Sequence, residues 1–403
     1  MLPVAEAQAR ILAPLTTLPA EWVPLPQALG RVLAEDLAAR RDQPPVAVSA
    51  MDGYAVRGAD TAEVGRPFCL VGEAVAGGDR TLAVGPHEAV RIFTGGAVPA
   101  GADAIVIQEN AEAAGDTVRF TATVAPGTFV RAAGLDFAAG WTGLATGAVL
   151  DARALGLAAA MGHLWLPVRR RPRLGLLATG NELRWPGETP HGSQIISSNT
   201  LTVGAMATGW GASAIDLGIC ADDGAALAAR VRDAAGLDLL VTTGGASVGE
   251  YDLVQRALGR EGLKLDFWKI AMRPGKPLLF GSLGLVPVLG FPGNPVSAGV
   301  CAIVFLRLAQ QRMLGLPEGL PERRARLANP LPANDQRQDY LRAVYVEHDG
   351  ERRLRTAPRQ DSSMLATFAN ADALLVRTAF DPARDIGDTV TLIDLREALD
   401  SMR

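Results

Sequence analysis

Apolar positions along the chain change their spacing repeatedly, and each change predicts a different kind of structure. Val4, Ala7, Ile11, Leu15 and Leu18 recur at helical intervals, predicting an amphipathic helix kinked or ended at Pro14. From Gln43 to Phe137 the apolar stretches become short, as in Ala89–Phe93 and Ala104–Gln108, and glycine and proline interrupt them. A small β-rich module over residues 43–137 is expected there. Asp151 then stands where an N-cap belongs and Gly162 where a helix stops, so a second helix is expected to rejoin the first. Residues 1–42 and 138–168 would form a discontinuous linker domain around the module.

Beyond Arg169 strand and helix patterns alternate. Strands are expected at Leu174–Thr179, Ala212–Gly218 and Leu237–Thr243. Helices are expected at Asn199–Thr208, from an Asp222 cap to Ala235, at Tyr251–Leu258 and at Pro295–Leu314. That rhythm predicts a doubly wound α/β domain with a mostly parallel sheet over residues 169–320. Pro321, Pro330 and Pro332 end it. Runs such as Tyr340–Val346 and Ala373–Arg377 predict a C-terminal β domain over 321–403. The fold class is therefore multidomain α/β plus β.

Composition narrows the function. The 403 residues are 48% hydrophobic and 20% charged, the balance of a packed globular protein. A net charge of -4 gives no global pull toward nucleic acid, and neither a signal-type start nor a membrane-length apolar run is present, so a cytoplasmic protein is expected. Three scattered cysteines and four unpaired histidines give neither a disulfide framework nor a zinc spacing, so any metal would be held by oxygen. The three lysines, Lys264, Lys269 and Lys276, fall in one window, although arginine supplies the remaining basic charge.

Loops after strands carry the candidate chemistry, because open α/β sheets bind ligands beyond the carboxyl ends of their strands. Thr179-Gly180-Asn181-Glu182 and Thr242 to Gly249, which includes Gly244, Gly245 and Ser247, have glycines that free backbone amides and hydroxyls beside them. Either loop is also readable as a tight connection. Phe267 to Pro277 reads as a strand and turn in which alternation sets Lys269, Ala271 and Arg273 on one face with Lys276 nearby, an oxyanion site or a solvated basic edge. Gly290 to Ala298, with Pro292, Asn294, Pro295 and Ser297, reads as a rigid turn or an anion-favouring helix start. Glu182, Asp222, Asp223 and Asp252 lie just beyond strands and are the candidate magnesium ligands, with Asp222 also explained as an N-cap. In the module, Asp52 before Gly53 and Thr94-Gly95-Gly96 read locally as turns.

Together Ser49–Val56, Phe93–Pro99, Arg131–Asp136, Thr179–Glu182, Thr243–Asp252, Trp268–Pro277 and Gly290–Ala298 resemble, in order, the molybdopterin molybdenumtransferase family of the MoeA type, related to the gephyrin E domain. The resemblance implies four domains and a homodimer in which Asp52 and Asp136 of one copy face Glu182, Asp222 or Asp223, Asp252, Lys269 and Arg273 of the other. It implies molybdate and adenylylated molybdopterin as substrates, Mg2+ as cofactor, and Thr94, Gly95, Thr179, Asn199, Gly244, Gly245, Ser247, Lys276, Pro292, Asn294, Pro295 and Ser297 as substrate contacts. Transient contact with the adenylyltransferase and with apo molybdoenzymes would follow. The chain departs from the family's usual pattern at Arg273, where a lysine is common, and at Asn181 and Leu135, where acids are. An adenylyltransferase, a tungstate insertase and a dimeric peptide-binding scaffold stay open as alternatives.

Overall fold

The computed structural model describes all residues except 79–80, 233–234, 245–258, 260–261, 349 and 401–403. The expected helix at Tyr251–Leu258 lies outside the described residues. The chain divides into two compact units. One comprises Met1–Glu21, Gly30–Ala34 and Val168–Arg403, and the other Trp22–Leu29 and Glu35–Pro167.

In chain order, α1 (Val4–Leu12) belongs to the first unit, where Gln8 Nε2 donates to the Val304 carbonyl at 3.1 Å. The second unit holds β1 (Gly53–Val56), β2 (Pro67–Ala74), β3 (Glu88–Ile92), β4 (Ala104–Ile107), β5 (Ala111–Ala114) and β6 (Thr117–Phe120) in one sheet ordered β4-β1-β3-β2-β6-β5. Tyr54, Val56, Phe68, Val106, Val118 and Phe120 pack on one side of it, and Ala55, Val90, Ile92 and Ile105 on the other. Gly53 opens β1 rather than sitting in a turn, and a Cβ there would lie 2.0 Å from the Val106 carbonyl oxygen, so only glycine lets the strands approach. Helix α2 (Ala152–Ala160) also lies in this unit, with the Asp151 carboxylate accepting from the amides of Arg153 and Ala154 at 2.9 Å, the expected cap.

The α/β sheet of the first unit contains β7 (Arg173–Thr179), β8 (Ser213–Cys220), β9 (Leu239–Thr243), β10 (Leu263–Phe267), and, beyond a break, β12 (Leu279–Leu283) and β13 (Val286–Phe291). Its order is β8-β7-β9-β13-β12-β10. The first four strands are parallel, and the last two pair antiparallel at one edge. Helix α3 (Asn199–Gly209) links β7 to β8, and α4 (Gly224–Arg232) follows β8. Leu177, Leu227, Leu240, Leu279 and Val288 form the core between them. Chain order reverses at β7, whose neighbours are β8 and β9. That reversal opens a crevice at the carboxyl ends.

The expected helix Pro295–Leu314 forms in three parts: α5 (Pro295–Cys301), a π-helical stretch at Ala302–Leu306, and α6 (Arg307–Leu314). The break between β10 and β12 is a correction to the sequence reading. Residues 272–273 form a short strand, β11, that leaves the α/β sheet and pairs in parallel with Gln338–Asp339. The C-terminal sheet is ordered β11-β15-β17-β18-β14, from β14 (Glu322–Arg326), β15 (Gln338–His348), β17 (Ala373–Arg377) and β18 (Thr389–Asp394), with β16 (Glu351–Thr356) pairing β15. Leu327, Leu354, Leu375 and Leu392 fill its core. Among the described residues no helix is long and apolar enough to cross a membrane.

Candidate functional site

A cavity of about 530 Å³ opens where the carboxyl ends of β7, β9 and β13 meet. Thr179 and Glu182 follow β7, Thr243 and Gly244 end β9, and Pro292 to Pro295 lead from β13 into α5. Gly244 adopts φ +93°, and a Cβ on it would lie 2.3 Å from the Thr179 carbonyl oxygen, so glycine brings these two loops together. Asn199, at the start of α3, donates from Nδ2 to the Gly293 carbonyl at 2.7 Å and ties the third loop to the others. Seven predicted residues, Thr179, Glu182, Asn199, Gly244, Pro292, Asn294 and Pro295, thus share one cavity.

The rest of the wall is Leu183, Ile195, Ile196, Ser197, Ser198, Thr243, Pro277, Gly293 and Ser363, none of them among the predicted site residues. Ser363 arrives from the C-terminal domain on a segment held in several ways. The Asn294 amide donates to Ser362 Oγ at 2.8 Å, and the Val296 N–H donates to the Ser362 carbonyl at 3.1 Å. The buried Arg342 guanidinium donates to the Asp361 carbonyl at 3.0 Å, while Gln360 exchanges two hydrogen bonds with the Arg342 backbone. The Ser363 hydroxyl and amide, at 2.6 and 2.8 Å, hold the Asp361 carboxyl below its usual range. A hydroxyl pair ahead of α3 was the readable signal for Ser197. Nothing in the sequence brings Ser363 to this loop.

The carboxylates separate by environment. Asp223, not Asp222, caps α4, accepting the Ala226 amide at 2.8 Å. Asp222 instead exchanges contacts with Asn181: its carboxylate accepts the Asn181 amide at 3.2 Å, and its amide donates to Asn181 Oδ1 at 3.1 Å. Glu182 lines the cavity and has no hydrogen-bonded side-chain partner among the described residues. Asp222 and Asp223 do not line it, and Asp252, Gly245 and Ser247 lie outside the described residues.

The basic stretch is not the single strand the alternation required. β10 ends at Phe267, so the argument that set Lys269, Ala271 and Arg273 on one face does not apply. Lys269 places Nζ 3.4 Å from the centroid of the Trp268 ring, a cation–π contact. Lys276 is exposed. Arg273 turns to the C-terminal domain, where Nε donates to Asp339 at 2.9 Å, a second nitrogen also bonds Asp339, and a third meets Asp335 at 3.3 Å. Burial raises the Asp339 carboxyl above its usual range even though Arg273 pulls the other way. None of Lys269, Arg273, Lys276 or the buried Ser297 lines the cavity.

In the second unit, Asp52 accepts the Thr94 amide at 2.7 Å and the Thr94 hydroxyl at 2.8 Å, which hold its carboxyl low. Gly95 and Asp136 border a separate cavity of about 740 Å³ with Arg131 and Leu135, whereas Asp52 and Thr94 do not line it.

Comparison with known proteins matches this architecture along the chain. Residues 2–162 match the MoeA N-terminal region (domain I and II), 175–311 a probable molybdopterin binding domain, and 324–395 the MoeA C-terminal region (domain IV). Molybdopterin molybdenumtransferase 2 of Mycobacterium tuberculosis is 38% identical over 88% of this chain and 89% of its own length. Molybdopterin molybdenumtransferase of Haemophilus influenzae is 31% identical over 97% of this chain and 98% of its own. A crystal structure of the molybdopterin biosynthesis MoeA protein from Pyrococcus horikoshii aligns with a TM-score of 0.87 at 27% identity, covering 98% of this chain and 99% of that one. The chain therefore belongs to the molybdopterin molybdenumtransferase family, enzymes of molybdenum cofactor biosynthesis.

Proposed function

We propose that the chain inserts molybdate into adenylylated molybdopterin with magnesium-dependent release of AMP. The observation that carries this reading is the cavity beyond the parallel strands, lined by the hydroxyl-bearing residues Thr179, Ser197, Ser198, Thr243 and Ser363, by the carboxylate of Glu182, and by the apolar Leu183, Ile195 and Ile196. Such a lining suits a polar, phosphate-bearing ligand. Thr179, Asn199, Gly244, Pro292, Asn294 and Pro295 are read as substrate contacts, with Gly245, Ser247 and Ser297 extending the same loops.

Substrate and molybdate are both anions, so their approach needs positive charge nearby. Asp339 and Asp335 already meet the charge of Arg273, whereas Lys269 and Lys276 have no ion pair among the described residues. We assign the larger share of charge compensation to the two lysines. Asp252 is read as the partner acid on the chemical step.

The donors fit magnesium. Among the described residues Glu182 is unengaged, and Asp222 keeps one oxygen beyond its bond to Asn181. A magnesium ion here would be held by one or two carboxylates, with water and substrate phosphate completing its shell. When bound, magnesium would neutralise the pyrophosphate and polarise the bond that breaks. Asp223, engaged at the helix start, is the weakest of the proposed ligands.

A homodimer belongs to the reading, with Asp52, Thr94, Gly95 and Asp136 of one copy completing the site of the other. The four-part division into linker, module, α/β and C-terminal domains, a cytoplasmic setting, and transient contact with the adenylyltransferase and apo molybdoenzymes belong to it too. The test is AMP release from molybdopterin adenylate and magnesium, with and without molybdate, alongside product transfer to an apo molybdoenzyme. Asp252→Ala and Lys269→Ala should fold normally and stop molybdate-dependent release. Near-normal release by both would remove their assigned roles.

A further inference from the structure

Lys269 and Arg273, two of the basic groups expected to converge, are held in opposite ways. Arg273 is gripped by carboxylates: Asp339 and Asp335 meet its nitrogens, so much of its charge is already answered. Lys269 is held without an acid. Its Nζ stands 3.4 Å from the centroid of the Trp268 ring, and it has no ion pair among the described residues. A ring face attracts a cation through its quadrupole but carries no net charge. The ammonium therefore keeps its field, and the N–H groups turned away from the ring stay available.

Lysine needs such a holder, because its ammonium is a point charge on a flexible stem that averages over many rotamers when nothing detains it. The main chain on either side is fixed as well. β10 has ended at Phe267 and β11 begins at Met272, so residues 268–271 belong to neither sheet. Leu2 supplies the missing partner: its amide donates to the Lys269 carbonyl at 3.4 Å, its carbonyl accepts the Ala271 amide at 2.7 Å, and it bridges Ile270 in parallel. Arg10 of α1 meets Asp266 at 3.1 Å, just before the strand ends. Trp268 itself is half-buried, packed against the apolar cluster that includes Leu279 and Val288. Ring, backbone and ammonium are each anchored, as a preorganised charge requires.

We infer that Trp268 is the positioning residue of Lys269, fixing the ammonium without neutralising it so that its charge is in place when an oxyanion arrives. The inference rests on the charge-compensating role proposed for Lys269. It also separates the basic residues by their holders: a carboxylate spends the charge it positions, and an indole does not.

The chain has three lysines, so lysine isotope-labelled at Cε gives three side-chain NMR signals, assigned with Lys264→Arg and Lys276→Arg. The ring current of an indole face moves a methylene above it upfield. The Lys269 signal of the full chain should therefore stand upfield of the other two, respond to added molybdate, and remain upfield at saturation. Trp268→Leu keeps an apolar side chain against the core but should abolish the displacement, and molybdate affinity should fall about fivefold, the size of one partly desolvated cation–π contact. Trp268→Phe keeps a ring face and should restore part of the displacement and most of the affinity. In the AMP-release assay Trp268→Leu should lower kcat by a similar factor with KM little changed, since the charge acts on the reaction rather than on seating the pterin. Three results would overturn the inference: a wild-type Lys269 signal with no upfield displacement, one that ignores molybdate or leaves the ring when molybdate binds, or wild-type molybdate affinity in a folded Trp268→Leu. The first two need no variant and decide the matter even if Trp268→Leu does not fold. A wild-type chain that shows the displaced, molybdate-responsive signal but releases no AMP removes the proposed reaction and leaves the placement of Lys269 standing.

Discussion

Gly244→Ala should be among the most damaging single-atom-group additions in the molecule. The new methyl would stand 2.3 Å from the Thr179 carbonyl oxygen and 3.1 Å from its hydroxyl, and the residue would keep φ +93°. Holding a non-glycine residue in that backbone region costs about 1–3 kcal/mol. The overlap adds about 1–3 kcal/mol, because the obstacle is main chain rather than the end of a flexible side chain. Thr179 lies in β7, which pairs with both β8 and β9, so it retreats only by moving a central strand. A total of about 2–6 kcal/mol is a large share of the ~5–15 kcal/mol that holds a typical domain. Urea unfolding should show the midpoint falling with little change in slope. AMP release, the activity proposed above, should fall by about a hundredfold, since a shift near 1 Å in a positioning residue carries that effect. Gly293→Ala is the control: among the described residues its Cβ would meet only the Gly244 Cα at 3.5 Å, an ordinary contact, and it should lose under ~1 kcal/mol. Equal tolerance of the two alanines would refute the close-approach argument.

Arg273→Ala should destabilise the C-terminal domain by about 2 kcal/mol, because it strands the buried Asp339 carboxylate, while Asp339→Asn should cost less, since the guanidinium left behind is 44% exposed. Urea midpoints at neutral pH decide the order. The Asp151 carboxyl, held down to about 2 by the Ala154 amide and Arg153, has a folded value below its unfolded one. Its contribution is therefore complete above about pH 4 and lost as pH falls toward 2, and the melting-temperature gap between wild type and Asp151→Ala should close over that window. Thiol titration of the native chain should find Cys69 reacting quickly, with Cys220 and Cys301, both buried and with thiols pushed up by burial, reacting only after unfolding.

The parallel sheet was legible because its strands are continuous apolar runs that end in glycine-bearing loops, and those loops marked the cavity directly. β11 was not legible. Period-two alternation across Lys269, Ala271 and Arg273 is a local property, whereas the chain leaves one sheet after Phe267 and joins another at Met272, a choice made by pairing with Gln338 and Asp339 more than sixty residues away. Arg273 thereby acquires acidic partners that no spacing announces. The place of Ser363 was hidden for the same reason, since it depends on Arg342 and Gln360 holding a loop of the C-terminal domain against the start of α5.

The adjacent acids Asp222 and Asp223 show where pattern reading stops. Each stands two or three residues before amides at the start of α4, so the capping rule accepts either. The choice is made across the sheet. Asn181, 41 residues earlier and just beyond β7, takes the Asp222 amide and gives its own in return, which draws Asp222 toward the neighbouring loop and leaves Asp223 to reach the Ala226 amide. Asparagine serves this exchange because its side chain offers an acceptor without a charge. An aspartate at 181 would keep the acceptor but set a second carboxylate beside Asp222, and like charges at that distance favour either a bound cation or a retained proton. Asn181 thus removes a possible ligand and also the repulsion that would make the site depend on a cation for its own stability.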